Sequence, residues 1–96
     1  MSYTMAKVVA KIKVMPKDPE IKPNMIKKQV EKILPEGAEI TASGEQPIAF
    51  GLVALMLNVA VPEESGTKIL DAVQEAIESL EDVESTRVEA VTRISF

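Results

Sequence analysis

The side chains able to do chemistry in this chain are carboxylates, amines, two guanidiniums and a few hydroxyls, because His and Cys are both absent. That inventory excludes zinc centres built on His and Cys, imidazole general bases and thiolate nucleophiles. No G-x-x-x-x-G-K-[ST] phosphate loop and no G-x-G-x-x-G turn occurs, and no other cofactor or metal motif is present. Trp is missing and the central strands lack paired aromatics, so a base-stacking RNA platform cannot be assembled. Residues 1–48 hold eight Lys against six acids, whereas residues 49–96 hold Lys68, Arg87 and Arg93 against nine. With an overall charge of −4, direct nucleic-acid binding is not expected, since phosphates demand a basic surface. The acids Glu75, Glu78, Glu81 and Asp82 read as the solvated face of a helix.

The remaining functional candidates are therefore contact residues, and the stretch Gln46–Val61 (QPIAFGLVALMLNVAV) carries most of them. From Pro47 onward it has no charge, and Asn58 is its one polar side chain. Gly51, Val53, Leu55, Leu57, Val59 and Val61 make one apolar face of a strand, and Phe50, Leu52, Ala54 and Met56 begin a second. A small domain covers one face with helices, so the second is an expected docking surface.

The rest of the chain supplies the elements that position this strand. Ala6–Met15 alternates, with Ala6, Val8, Ala10, Ile12 and Val14 opposed to Lys7, Val9, Lys11, Lys13 and Met15. Pro23–Leu34 has helical spacing at Met25, Ile26, Val30, Ile33 and Leu34, stopped by Pro35 and Gly37. Glu39–Gly44 is a short strand turning through Ser43-Gly44, and the apolar strand then runs from Phe50 to Val61. A second helix, capped by Ser65 or Thr67, carries the stripe Ile69, Leu70, Val73, Ala76, Ile77 and Leu80 and ends at Glu81-Asp82. The last strand, Glu84–Ile94, sets Val88, Ala90, Thr92 and Ile94 against Arg87, Glu89, Val91 and Arg93.

This order, βαββαβ, predicts an α+β ferredoxin-like sandwich: a four-stranded antiparallel sheet in order 4-1-3-2 with two helices on one face. Residues 6–96 form one domain, and residues 1–5 a start region or N-terminal extension. Strand 3 buries its Gly51–Val61 set under the helices, leaving Phe50, Leu52, Ala54 and Met56 on the open face beside Val9, Lys11 and Lys13. No apolar run approaches the ~20 residues of a membrane span. With no signal-peptide pattern and no cysteine, the expected compartment is the cytoplasm.

At Pro47–Leu52 the chain resembles the guanine-nucleotide-exchange domain of translation elongation factor 1-beta, whose members carry Pro-x-(Gly/Ala)-(Phe/Tyr)-Gly-(Ile/Leu) before a central strand. VVAKIKVMP at Val8–Pro16, GTKIL at Gly66–Leu70 and VEST at Val83–Thr86 extend the resemblance over about Ala6–Ile94, most like the short archaeal members. The resemblance implies an exchange factor that promotes GDP release from the GTPase elongation factor 1-alpha, without covalent chemistry, cofactor or metal. It implies that Phe50 contacts the partner's second domain, and that Arg93, standing where members usually have Lys, reaches toward the Mg²⁺ and phosphate region. The partner-binding set is then Phe50, Leu52, Met56, Lys11, Lys13 and Arg93. Because strands 3 and 4 run the same way, Phe50 and Arg93 are expected at opposite ends of the sheet, able to engage two regions of a large partner. A monomer fits this role. The alternative is a ferredoxin-like regulatory domain that homodimerises through the open face and binds a small ligand. An acylphosphatase-like enzyme shares the topology but is excluded by acids in the Pro16–Glu20 loop, where phosphate would sit.

Overall fold

The computed structural model describes residues 6–95, with the side chains of residues 65–67 and 95 outside that description. The extension expected at residues 1–5 and the helix cap expected at Ser65 or Thr67 both lie outside the described residues. The element order is β1 (Ala6–Pro16), α1 (Pro23–Ile33), β2 (Glu39–Pro47), β3 (Val53–Pro62), α2 (Gly66–Glu78) and β4 (Val83–Ser95). The four strands form one antiparallel sheet in order β2-β3-β1-β4, the order expected for a ferredoxin-like sandwich.

Local chemistry explains where the helices stop. In α1, Pro23 opens the first turn and Lys22 stands at the cap with ψ 143°, so the missing Pro N–H costs nothing. Leu34, the residue before Pro35, is driven to ψ 133°, out of the helical region, by the clash with the proline ring. Helix α2 ends at Glu78 rather than at Glu81-Asp82. Leu80 extends the apolar stripe from a tight turn, its N–H donating to Ile77 O at 3.1 Å, and it still packs on the core.

The core lies between the helices and one sheet face. It comprises Ala10, Ile12 and Val14 of β1, Leu55, Leu57, Val59 and Val61 of β3, and Val83 of β4, under Ile26, Val30, Val73 and Ile77 of the helices. Every member is aliphatic, so burial is the dominant stabilising term, and truncating one fully buried Leu costs about 2–5 kcal/mol.

Three features of the sheet depart from the sequence expectation. First, β3 starts at Val53; Phe50 and Gly51 lie in a tight turn before it. Second, β2 runs to Pro47 instead of turning at Ser43-Gly44, because as an edge strand it sends only Ile40 toward the core and so lacks an apolar period. Third, β4 shifts register against β1 between Lys11 and Ile12, where Lys11 faces Ala90 and Ile12 faces Val88. The extra residue, Glu89, bulges, which moves Val88 onto the helix side while Ala90, Thr92 and Ile94 stay on the open face.

Candidate functional site

The end of the β2–β3 hairpin is closed by two backbone bonds. Pro47 and Val53 form the last strand pair, Ile48 N–H donates to Leu52 O at 2.7 Å, and Leu52 N–H donates to Ala49 O at 3.3 Å. Fitting three residues into this turn puts Phe50 at φ 61°, ψ 30° and Gly51 at φ 79°. Glycine adopts that conformation freely, but for a bulky L-residue it is strained. A Cβ placed on Gly51 would sit 3.6 Å from Pro19 Cβ, so the hairpin tip lies against the loop that follows β1. Phe50 is 93 % exposed, the most exposed of the large apolar side chains among the described residues. An aromatic this exposed contributes almost nothing to the domain's own packing, although its backbone is strained.

The open sheet face continues from the tip toward the middle of the molecule. Strand β1 contributes exposed Lys11 and half-buried Lys13, and β3 contributes half-buried Met56 and Asn58. In register, Lys11 faces Asn58, while Lys13 has Met56 on one side and Arg87 on the other. Like charges opposed across a strand pair repel, so Lys13 and Arg87 raise the positive potential of this face. Arg87 is loosely balanced by Glu89 at 3.9 Å and Lys7 by Glu39 at 3.7 Å; among the described residues Lys11 and Lys13 make no ion pair. Leu52 is half-buried at the foot of the turn. Ala54, expected to be exposed here, is fully buried, and Ala60 nearly so. In register, Ala54 stands beside Gln46, and Ala60 stands between Val9 and Glu39. The expected continuous apolar strip is thus an outward aromatic at the tip followed by a mixed surface of Met56, Asn58 and lysines.

Arg93 lies far from the tip. It pairs in register with Val8, whereas Leu55 pairs with Val14, six residues along β1, a separation of about 20 Å that Phe50 extends further. The two residues do lie at opposite ends of the sheet. Val8 belongs to the helix-facing set, so Arg93 faces the helix side, not the open face of Lys11 and Lys13. Its Nε–H donates to Glu63 Oε2 at 2.5 Å, tying the end of β4 to the short helical turn at Glu63–Ser65 that follows β3. Sequence reasoning singled out Arg93 but not Glu63, because nothing local links residues thirty apart.

Residues 9–94 match the family described as the EF-1 guanine nucleotide exchange domain. The chain is 43 % identical over 90 residues to elongation factor 1-beta of Haloarcula marismortui, covering 94 % of this chain and 100 % of that protein. It is 44 % identical over 87 residues to elongation factor 1-beta of Thermococcus gammatolerans, covering 91 % and 94 %. With elongation factor 1-beta of Methanothermobacter thermautotrophicus the identity is 42 % over 91 residues, covering 94 % and 99 %. Matched from the first strand through the last by a family profile and by archaeal relatives of nearly the same length, this chain is a member of the EF-1 guanine nucleotide exchange domain family.

Proposed function

We propose that this domain accelerates GDP release from the translation elongation GTPase, elongation factor 1-alpha, by holding it at two separated points. Phe50 at the hairpin tip anchors one region of the partner, with Leu52, Met56, Lys11 and Lys13 flanking it. Arg93, at the other end of the sheet, acts near the bound diphosphate and its Mg²⁺. The observation that carries the reading is Phe50 itself, 93 % exposed, whose aromatic side chain its own domain does not pack.

No bond in the nucleotide is made or broken in this role. The domain works by binding the nucleotide-free GTPase more tightly than the GDP-bound form, and it shifts the equilibrium by that difference alone. Since phosphate and Mg²⁺ contacts hold the diphosphate, a side-chain cation that displaces the Mg²⁺ loosens that hold and supplies the difference. The acting species in this reading is a monomer in the cytoplasm, where elongation takes place. Stacking two copies open face to open face would oppose Lys11 and Lys13 to their own counterparts, which disfavours the homodimeric alternative.

Stopped-flow release of a fluorescent GDP analogue from elongation factor 1-alpha tests the division of labour. Phe50→Ala weakens the complex, raising the concentration needed for half-maximal acceleration. Arg93→Ala lowers the maximal rate with a smaller effect on binding. Unchanged kinetics in both variants would sink the assignment.

A further inference from the structure

Arg93 spends one of its five N–H donors on Glu63. The bond runs from Nε, the nitrogen inside the chain, and among the described residues the two terminal Nη groups make no hydrogen bond. A guanidinium gripped at Nε has its plane fixed and its outer edge free, the edge that binds carboxylate or phosphate oxygens in pairs. A lysine ammonium could pair with Glu63 and still donate, but it is a point charge with no planar two-nitrogen edge to orient. The surroundings are not an anion receptor in the free domain, because the open cavity of about 330 Å³ beside Arg93 is lined by Ala6, Glu63 and Glu64, two carboxylates against one guanidinium. Both partners are partly exposed, 62 % for the Arg93 side chain and 39 % for Glu63, so the pair does little for folding. It does restrict a long side chain that would otherwise sample many rotamers.

We propose that Glu63 is a positioning residue for exchange: it holds Arg93 by Nε so that the Nη edge is presented, already oriented, to the Mg²⁺ and phosphate region of the partner, where its charge displaces the Mg²⁺ that helps to hold the diphosphate. This rests on the reading of Arg93 given above.

The test is fluorescent-GDP release from elongation factor 1-alpha under saturating exchange domain, comparing the wild type with Glu63→Ala, Glu63→Gln, Arg93→Ala and the double variant Glu63→Ala/Arg93→Ala. Glu63→Ala lowers the maximal release rate roughly three- to tenfold by freeing the arginine rotamers. It leaves half-saturation little changed and the melting temperature within a few degrees. Glu63→Gln, whose amide oxygen still accepts from Nε–H, recovers most of the rate. In the Arg93→Ala background, Glu63→Ala has no further effect, since the two act as one unit. Wild-type rates in Glu63→Ala overturn the proposal, as does an equal loss with and without Arg93. A faster Glu63→Ala also overturns it, by showing that the carboxylate restrains Arg93 instead of aiming it. Should Arg93→Ala itself release GDP at the wild-type rate, the failure lies with the role of Arg93 and not with Glu63.

Discussion

Replacing Phe50 separates binding from folding in a way few residues allow. The side chain is 93 % exposed, so removing it forfeits almost no packing within the domain. Its backbone at φ 61° costs an L-residue roughly 1–2 kcal/mol, a strain that glycine escapes. Glycine gives back about 0.4–1 kcal/mol through the greater freedom of the unfolded chain. Phe50→Gly should therefore leave stability between unchanged and about 1.5 kcal/mol higher. Since 1 kcal/mol moves the melting point of a 60–100-residue domain by about 4–8 °C, the variant melts at or above the wild-type temperature. Phe50→Ala keeps the strain and should melt with the wild type. Circular dichroism is the appropriate monitor, as the chain has no Trp. Binding should behave oppositely. Burying a Phe side chain contributes about 1.5–3 kcal/mol, so both variants should bind nucleotide-free elongation factor 1-alpha roughly ten- to a hundredfold more weakly by calorimetry. A melting point more than about 5 °C lower in Phe50→Ala, or affinities equal to the wild type in both variants, would refute the reasoning.

Other positions give sharper structural outcomes. Gly37→Ala should destabilise by more than about 1 kcal/mol, because Gly37 has φ +96° and its added Cβ would lie 3.0 Å from Ile69 Cδ1; thermal melting checks this. Gly44→Ala should be neutral or stabilising by up to about 1 kcal/mol, since a Cβ there meets nothing within 4 Å; urea denaturation gives the sign. Leu57→Ala, emptying a fully buried position, should cost about 2–5 kcal/mol in the same assay. Lys11→Glu with Lys13→Glu should slow association with the GTPase and flatten its salt dependence while leaving the melting point nearly unchanged, as read by surface plasmon resonance across ionic strengths.

How much of this was legible depends on the kind of signal each residue carries. In β1 the alternation of Val8, Ala10, Ile12 and Val14 with lysines names the buried face outright, and right-handed crossovers then dictate the strand order. The start of β3 was hidden because every residue from Pro47 to Leu57 is uncharged, and a uniform apolar run has no period to mark where extended backbone begins. The local clue was Gly51, since a hairpin loop of this length calls for a left-handed residue; that Phe50 shares the conformation has no sequence signature. The grouping of Val88 with Ala90, Thr92 and Ile94 does not hold, because a bulge at Glu89 inverts the parity beyond it and puts Val88 alone of that set on the helix side. The burial of Ala54 carries no signal in the alternation, which places it beside the half-exposed Leu52 and Met56. Phe50 and Arg93 were identified through family resemblance, and their separation through topology. The hydrogen bond from Arg93 to Glu63 needs three dimensions, for it joins the ends of β3 and β4 across β1.

To act as an exchange factor, this domain must discriminate between the nucleotide states of its partner. Its affinity for elongation factor 1-alpha, measured by calorimetry with the GTPase nucleotide-free and again in excess GDP·Mg²⁺, tests this most directly. Binding should be at least tenfold weaker in GDP·Mg²⁺, a difference of ~1.4 kcal/mol. Equal affinity for the two forms would contradict the exchange role, because a protein that binds both states alike cannot shift the equilibrium between them.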